Sequence, residues 1–379
     1  MVELGQRIDQ MLAIPPYSLP PEARQSALVE LLKDELEYAA NRNAAYRNYL
    51  RHWPTDIRSA EGVADLPYLP VAYLKGDVPF SLVEPREIKR TLTSSSTTGQ
   101  MPSRIVLDSS TARRMTKGVV SIAQDFIGSA RRPYLVVDVP GAVTGGAQLG
   151  ARGAAIQGLQ PFASEVTYCL KSGREELALD LQKVLQFAEA RRKSRVLVYG
   201  FTYILWKHFV KPLRDENLCL DMPDVHILHS GGWKLLQEEA VDKKTFNQGV
   251  ASVFGCATDR VVDFYGMVEN VGVIYPDCSE LNKHVPVFAD IIARDPLTLR
   301  PVREGETGIV QVCSVLPTSY PGHLLLTEDL AQVIAYDGCR CGRRGVCFRF
   351  IGRVPKAEVR GCGNIERSRQ QFHQCRVTQ

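Results

Sequence analysis

The sequence predicts an α/β protein with a mainly parallel sheet and a smaller β-rich subdomain after it. Three observations carry this. First, short apolar runs recur and each opens onto a glycine-containing loop. Tyr134-Leu135-Val136-Val137-Asp138-Val139 runs into Pro140-Gly141, and Arg195-Val196-Leu197-Val198-Tyr199 into Gly200. Val225-His226-Ile227-Leu228-His229 precedes Ser230-Gly231-Gly232, and Val261-Val262-Asp263-Phe264-Tyr265 precedes Gly266. Second, helix-length segments separate these runs, the alternation expected of parallel strands joined by crossovers. Third, beyond about residue 285 the texture becomes strands and turns (285–292, 307–314, 330–336) with no helical period.

In chain order, residues 23–50 read as helix, because Ala27, Leu28, Leu31, Leu32, Leu36 and Ala39 recur at helical spacing. Pro54, Pro67 and Pro70 then mark a loop-like connection. Residues 89–92 read as a strand leading into a run of hydroxyl side chains. In open parallel sheets ligands sit at the carboxyl ends of the strands, so the loops after each apolar run are where chemistry is expected.

With 379 residues the chain is too long for one small core, which predicts two packed lobes. Lys and Arg number 46 against 42 Asp and Glu, with no block of like charge to follow a phosphate backbone, so nucleic-acid binding is not expected. The apolar runs are strand-length and the N-terminus has no apolar signal core, which predicts a cytoplasmic protein without a membrane span. Ten cysteines, scattered except near 339–347, suit metal binding or reactive thiols rather than a disulfide framework.

Thr93-Ser94-Ser95-Ser96-Thr97-Thr98-Gly99 offers hydroxyls and loop amides that could wrap phosphates, or it could be a flexible linker; the Walker order is absent. Ser-Ser-Ser-Thr-Thr-Gly-x-x-Pro resembles the phosphate loop of the adenylate-forming superfamily, with Ser103 where that family usually has Lys. Ser230-Gly231-Gly232-Trp233-Lys234 resembles its adenine-side Gly-Gly loop. Asp263-Phe264-Tyr265-Gly266-Met267-Val268-Glu269 is similar to its Tyr-Gly-x-x-Glu motif, which implies Tyr265 beside the adenine and Glu269 on Mg²⁺. Thr327-Glu328-Asp329 resembles the Thr-Gly-Asp segment, implying that Asp329 holds the ribose hydroxyls, and Gly352-Arg353 resembles the Gly-Arg hinge. Each match alone has an ordinary reading: a core aromatic, a turn, a surface ion pair. Their shared order implies ATP and Mg²⁺ as cofactors and a carboxylic acid as substrate. It also implies a partition into a helical region 1–90, a nucleotide-binding α/β core 91–270, a β-rich subdomain 271–361 and a short polar tail 362–379. The lid of about a hundred residues usual beyond the hinge is expected to be absent or truncated here. Lys234, Lys356 or a partner protein would then contribute in its place, or the adenylation would be slow.

Cys278-x₅-His284 with Cys339-x-Cys341 is a spacing that suits a tetrahedral Zn²⁺, and Cys347 is a possible substitute ligand; the alternative is buried cysteines and a surface histidine. Cys339-Arg340-Cys341-Gly342-Arg343 resembles the pattern of phenylacetate-CoA ligases, implying a structural Zn²⁺. Cys362, between Gly361 and Gly363 with Arg360 nearby, is suited to thiolate chemistry; the alternative is an inert packing cysteine. Together with Leu316-Pro317-Thr318-Ser319-Tyr320-Pro321-Gly322-His323, this context is similar to the acyl-protein synthetases of the bacterial bioluminescence fatty-acid reductase complex, over nearly the whole chain. That resemblance implies an acyl thioester on Cys362, with Cys375 as rival, and an acyl-accepting reductase, transferase or carrier protein as partner. An acyl- or aryl-CoA ligase, a carrier-protein-loading ligase and a catalytically weak scaffold subunit of the same fold remain as alternatives. Tyr199, Phe201, Trp206 and Trp233 are either pocket lining or core.

Overall fold

Six strands form the central sheet, in the order Tyr275–Pro276, Val261–Tyr265, Val225–Ser230, Val196–Phe201, Arg132–Val136, Ala163–Tyr168. All neighbours run parallel except Tyr275–Pro276, which pairs antiparallel with Val261–Tyr265. This is a computed structural model and describes residues 2–76, 79–94, 101–143, 148–173, 176–233 and 239–354. The apolar runs follow from sheet burial on both faces. Tyr134 and Val136 enter one core with Ile122, Ala123 and Ile156. Leu135 and Val137 enter another with Val184, Phe246 and Val250.

A second six-stranded sheet comprises Lys283–His284, Cys347–Arg353, Leu324–Ala335, Thr307–Ser314 and Ala289–Arg294, all antiparallel. Leu69–Pro70 adds a parallel strand, with Leu69 opposite Leu325. Ile291, Val310, Val312 and Leu325 pack into the same core as Ile8, Leu28, Leu32 and Leu36 of the N-terminal helices. The architecture is therefore α/β with mixed sheets: parallel at the centre and antiparallel in the second. Arg90–Thr93 and Arg104–Leu107 form an antiparallel hairpin, extended in parallel by Gln148–Gly150.

The predicted helix 23–50 is two helices, Pro21–Arg42 and Ala44–Arg51. Asn43 breaks it: its backbone is extended (φ −134°, ψ 117°) and its side-chain oxygen accepts from the Tyr46 amide at 3.0 Å. An Asn cap starts the second helix in a new direction. Among the described residues no helix is long and apolar enough to cross a membrane.

Candidate functional site

Register brings the ends of the parallel strands together. Ser230 lies opposite both Phe201 and Phe264, and His229 opposite Gly200 and Asp263. Tyr265, the last residue of its strand, donates its hydroxyl to Asp329 Oδ2 at 2.8 Å. Asp329 sits in the second sheet, paired in register with Arg353, whose Nε is 3.4 Å from Oδ1. The Phe350 ring stacks on Tyr265 at 5.0 Å and 21°. Thr327 fixes the local backbone by accepting from the Asp329 amide (3.1 Å) and donating to the Val310 carbonyl (2.7 Å). Burial pushes the Asp329 carboxyl above its usual range, against the pull of Tyr265 and Arg353. A carboxylate offers about four lone-pair positions, so two engaged partners leave room for a diol.

Ser230 is tied down by its own neighbours: Tyr199 hydroxyl to Ser230 Oγ at 2.9 Å, and Thr202 Oγ1 to the Ser230 carbonyl at 3.2 Å. Gly231 has φ +81°, and a Cβ there would lie 2.7 Å from the Phe201 ring, so this turn requires glycine. Gly232 follows, where a Cβ would meet nothing within 4 Å among the described residues. Tyr199 and Trp206 are buried, and Trp206 packs on Phe246 and Trp233.

Ser94 stands at the base of the hydroxyl-rich loop. Its amide donates to the Ser103 carbonyl (3.1 Å) and its Oγ accepts from the Ser103 amide (2.8 Å). Lys75 bridges to Ser103 through its backbone and to Glu328, the neighbour of Asp329, through Nζ at 2.6 Å. The loop's base is thus connected to the Asp329 strand. Ser95, Ser96, Thr97, Thr98, Gly99, Lys234, Lys356, Arg360, Gly361, Cys362, Gly363 and Cys375 lie outside the described residues. Gly266 starts the turn after Tyr265, and Glu269 beyond it is 6% exposed. Among the described residues no hydrogen bond or ion pair engages the Glu269 carboxylate, while its carbonyl accepts from Tyr320 at 2.8 Å.

The four predicted metal ligands come together. The donor atoms of Cys278, His284, Cys339 and Cys341 all lie within 4.8 Å of one another. Cys278 and Cys339 sulfurs are 3.9 Å apart, and Cys341 Sγ is 3.2 Å from His284 Nε2. A tetrahedral Zn²⁺ with ordinary bond lengths would set such ligands roughly 3.6–3.8 Å apart, so this donor set fits the ion. Burial pushes His284 down to about 4, leaving the neutral imidazole a metal needs. Cys347, opposite His284 in the strand register, is not in the group of four.

One constellation was not predicted. Lys283, 2% exposed, places Nζ 2.9 Å from Asp263 Oδ2 and 3.2 Å from Asp277 Oδ1. Lys243 reaches Asp277 at 2.5 Å and Asp263 at 3.5 Å. Burial alone would raise the Asp263 carboxyl, yet Lys283, His229 and Lys243 hold it well below the usual range. The cluster joins the strand that ends in Tyr265 to the segment carrying Cys278 and His284. The available signal was position: Asp277 and Lys283 each precede a metal-ligand candidate by one residue.

Residues 4–370 match the family model for acyl-protein synthetase, LuxE. A long-chain-fatty-acid–luciferin-component ligase of Aliivibrio fischeri is 24% identical over 313 residues, covering 80% of this chain and 78% of that protein. Its namesake from Vibrio harveyi is 28% identical over 140 residues, or 37% of this chain and 36% of that protein. Among solved structures, an open conformation of 2-hydroxyisobutyryl-CoA ligase in complex with 2-HIB-AMP and CoA has a TM-score of 0.67 at 17% identity. It covers 90% of this chain and 77% of that one. The same ligase in its thioesterification state scores 0.68 at 17% identity, over 89% and 70% of the two chains. At that identity the likeness is one of fold.

Proposed function

The chain belongs to the acyl-protein synthetase, LuxE, family, and from that premise we propose which of its residues perform the family's two half-reactions. The enzyme is an ATP-dependent, acyl-adenylate-forming ligase. It converts a fatty-acid-like carboxylic acid and ATP to acyl-AMP and pyrophosphate, and then passes the acyl group to a thiol.

The observation that carries the residue assignment is Asp329, held between Tyr265 and Arg353 where the two sheets meet. In our reading Asp329 accepts both ribose hydroxyls. Tyr265 flanks the adenine, with the Ser230-Gly231-Gly232 turn along its other side. The amides and hydroxyls of Ser94, Ser95, Ser96, Thr97, Thr98 and Gly99 cradle the phosphates, and Lys234 assists at the reacting end. Glu269, with its carboxylate uncommitted among the described residues, would hold Mg²⁺. That ion, when bound, offsets the repulsion between the substrate carboxylate and the triphosphate. A carboxylate oxygen forms a bond to the α-phosphorus as the bond to pyrophosphate breaks, and fixed donors aligned with that path lower the barrier.

In the second step a thiolate attacks the acyl carbon, the bond to AMP breaks, and the thiol proton leaves to solvent. We assign the acceptor to Cys362, whose flanking glycines and Arg360 favour an accessible thiolate. Cys278, His284, Cys339 and Cys341 would hold a structural Zn²⁺. An acyl-collecting reductase, transferase or carrier protein completes the reading, since a thioester survives water long enough to be handed on.

Mass spectrometry after incubation with ATP and long-chain fatty acids tests the acceptor. Cys362→Ser is expected to release pyrophosphate once but to hold no hydroxylamine-labile acyl group. Label persisting on Cys375 would move the acceptor there. Acylated CoA or carrier protein without any protein label would replace the protein-thioester reading.

A further inference from the structure

The connection between Thr307–Ser314 and Leu324–Ala335 is buried throughout residues 315–323, whereas connecting segments ordinarily run over the surface. Its polar groups are used on different elements. Thr318 Oγ1 contacts Thr111 and Arg114, each at 3.2 Å. Ser319 Oγ donates to the Val106 carbonyl at 2.7 Å, and the Ser319 carbonyl accepts from Leu82 at 2.8 Å. His323 Nε2 meets the Tyr46 hydroxyl at 3.0 Å. Tyr320, with no exposed surface, donates its hydroxyl to the Glu269 carbonyl at 2.8 Å and takes a longer contact, 3.5 Å, from the Val271 amide. Gly322 makes this ring position possible: a Cβ there would sit 2.1 Å from Tyr320 Cε2.

We propose that Tyr320 is a positioning residue for Glu269, setting the direction of the carboxylate by pinning its backbone; this rests on the reading of Glu269 as the Mg²⁺-holding group. Two observations separate this role from plain packing. The Glu269 carboxylate has no hydrogen bond or ion pair among the described residues, so its aim depends on the main chain that bears it. The adjoining Ser319 pins Val106, in the strand Arg104–Leu107 that leaves the hydroxyl-rich loop. One buried connection therefore ties the strand Arg104–Leu107 to the main chain of the carboxylate assigned to the metal.

The test uses the full chain and Mg²⁺ titrated calorimetrically into its complex with α,β-methylene-ATP, which is not cleaved at the α-phosphorus. Tyr320→Phe removes one oxygen and keeps the ring. The expected result is a Mg²⁺ affinity about fivefold weaker, with Mg²⁺-free nucleotide binding close to parental and a melting temperature lowered by a few degrees, since the buried Glu269 carbonyl loses its donor. 4-Aminophenylalanine at 320 restores a donor and is expected to recover most of that affinity. Glu269→Gln is measured alongside. If Glu269→Gln leaves Mg²⁺ affinity unchanged, the metal assignment fails. If Glu269→Gln weakens it and Tyr320→Phe does not, the metal assignment stands and the Tyr320 inference is overturned. Equal weakening of nucleotide binding with and without Mg²⁺ also overturns it, because a general structural loss would do that. Should Tyr320→Phe not fold, the aminophenylalanine protein decides: near-parental Mg²⁺ affinity sustains the inference, and a several-fold loss overturns it.

Discussion

Replacing Asp329 separates its assigned catalytic duty from its structural one, because the two have different sizes. Asp329→Ala removes the acceptor for the buried Tyr265 hydroxyl, and an orphaned buried donor costs about 1–3 kcal/mol. The Arg353 partner adds little, since its side chain is 60% exposed. A domain of ordinary stability, about 5–15 kcal/mol, therefore stays folded. The nucleotide loses more. Two hydroxyls donating to a charged acceptor contribute about 1.5–3 kcal/mol each, and their loss lowers kcat/KM by roughly 10²- to 10⁴-fold. ATP–pyrophosphate exchange with a long-chain fatty acid measures this, and a chemical denaturation curve measures the stability. Asp329→Asn preserves shape and retains an acceptor for Tyr265, so its stability should be near parental while exchange still falls. Acid sensitivity gives a second readout with a defined sign. Burial raises the Asp329 carboxyl in the folded protein, so it becomes neutral, and a poorer acceptor, at a higher pH than an ordinary aspartate. Parental KM for ATP should rise as pH falls through that carboxyl, and the Asn variant should lack this limb. Parental exchange in Asp329→Ala would refute the ribose assignment.

Two further outcomes are expected. The purified protein should contain one Zn²⁺ per chain by elemental measurement, and Cys339→Ser or Cys341→Ser should lose it and lower the melting temperature, because binding to a structural site contributes folding free energy; metal-free native protein would refute this. Lys283→Met should destabilise by about 3 kcal/mol in a denaturant titration, since it removes the buried cation shared by Asp263 and Asp277 and leaves them the half-exposed Lys243, with the His229 ring beside Asp263; a change under 1 kcal/mol would show that the cluster is solvated.

What the sequence disclosed depended on whether a function lies in contiguous residues. The Ser230-Gly231-Gly232 turn, the Tyr265 segment and the Asp329 segment are short motifs whose assigned roles rest on contiguous residues, and the parallel strands carrying two of them follow from apolar runs that end in glycine. Cys278, His284, Cys339 and Cys341 could be grouped from the sequence because they arrive as two close pairs, and the fold brings their donor atoms within 4.8 Å of one another. Lys283 was not, because a lysine between polar neighbours looks like surface until both its carboxylate partners are in place. The Leu69–Pro70 strand was hidden by its proline, which marks a loop and fits here in a two-residue strand that pairs with Leu324–Ala335 alone. The break at Asn43 interrupts an apolar period that otherwise continues, so its only trace was an asparagine able to cap the next turn. Tyr320 could be seen as part of a motif, but not that its hydroxyl ends on the Glu269 carbonyl.

The central sheet also bears on how the molecule behaves at high concentration. A parallel sheet with an open edge offers unpaired amides to a neighbouring molecule, the route by which strands of separate chains join. At one edge Tyr275–Pro276 is only two residues long, and its proline has no N–H to offer. At the other, Ala163–Tyr168 presents Glu165 paired with Arg191 across the surface, so a second strand arriving there would have to strip water from both charges. The same two edges that bound the sheet thus discourage self-association, and crowding should not readily convert the folded enzyme into stacked sheets.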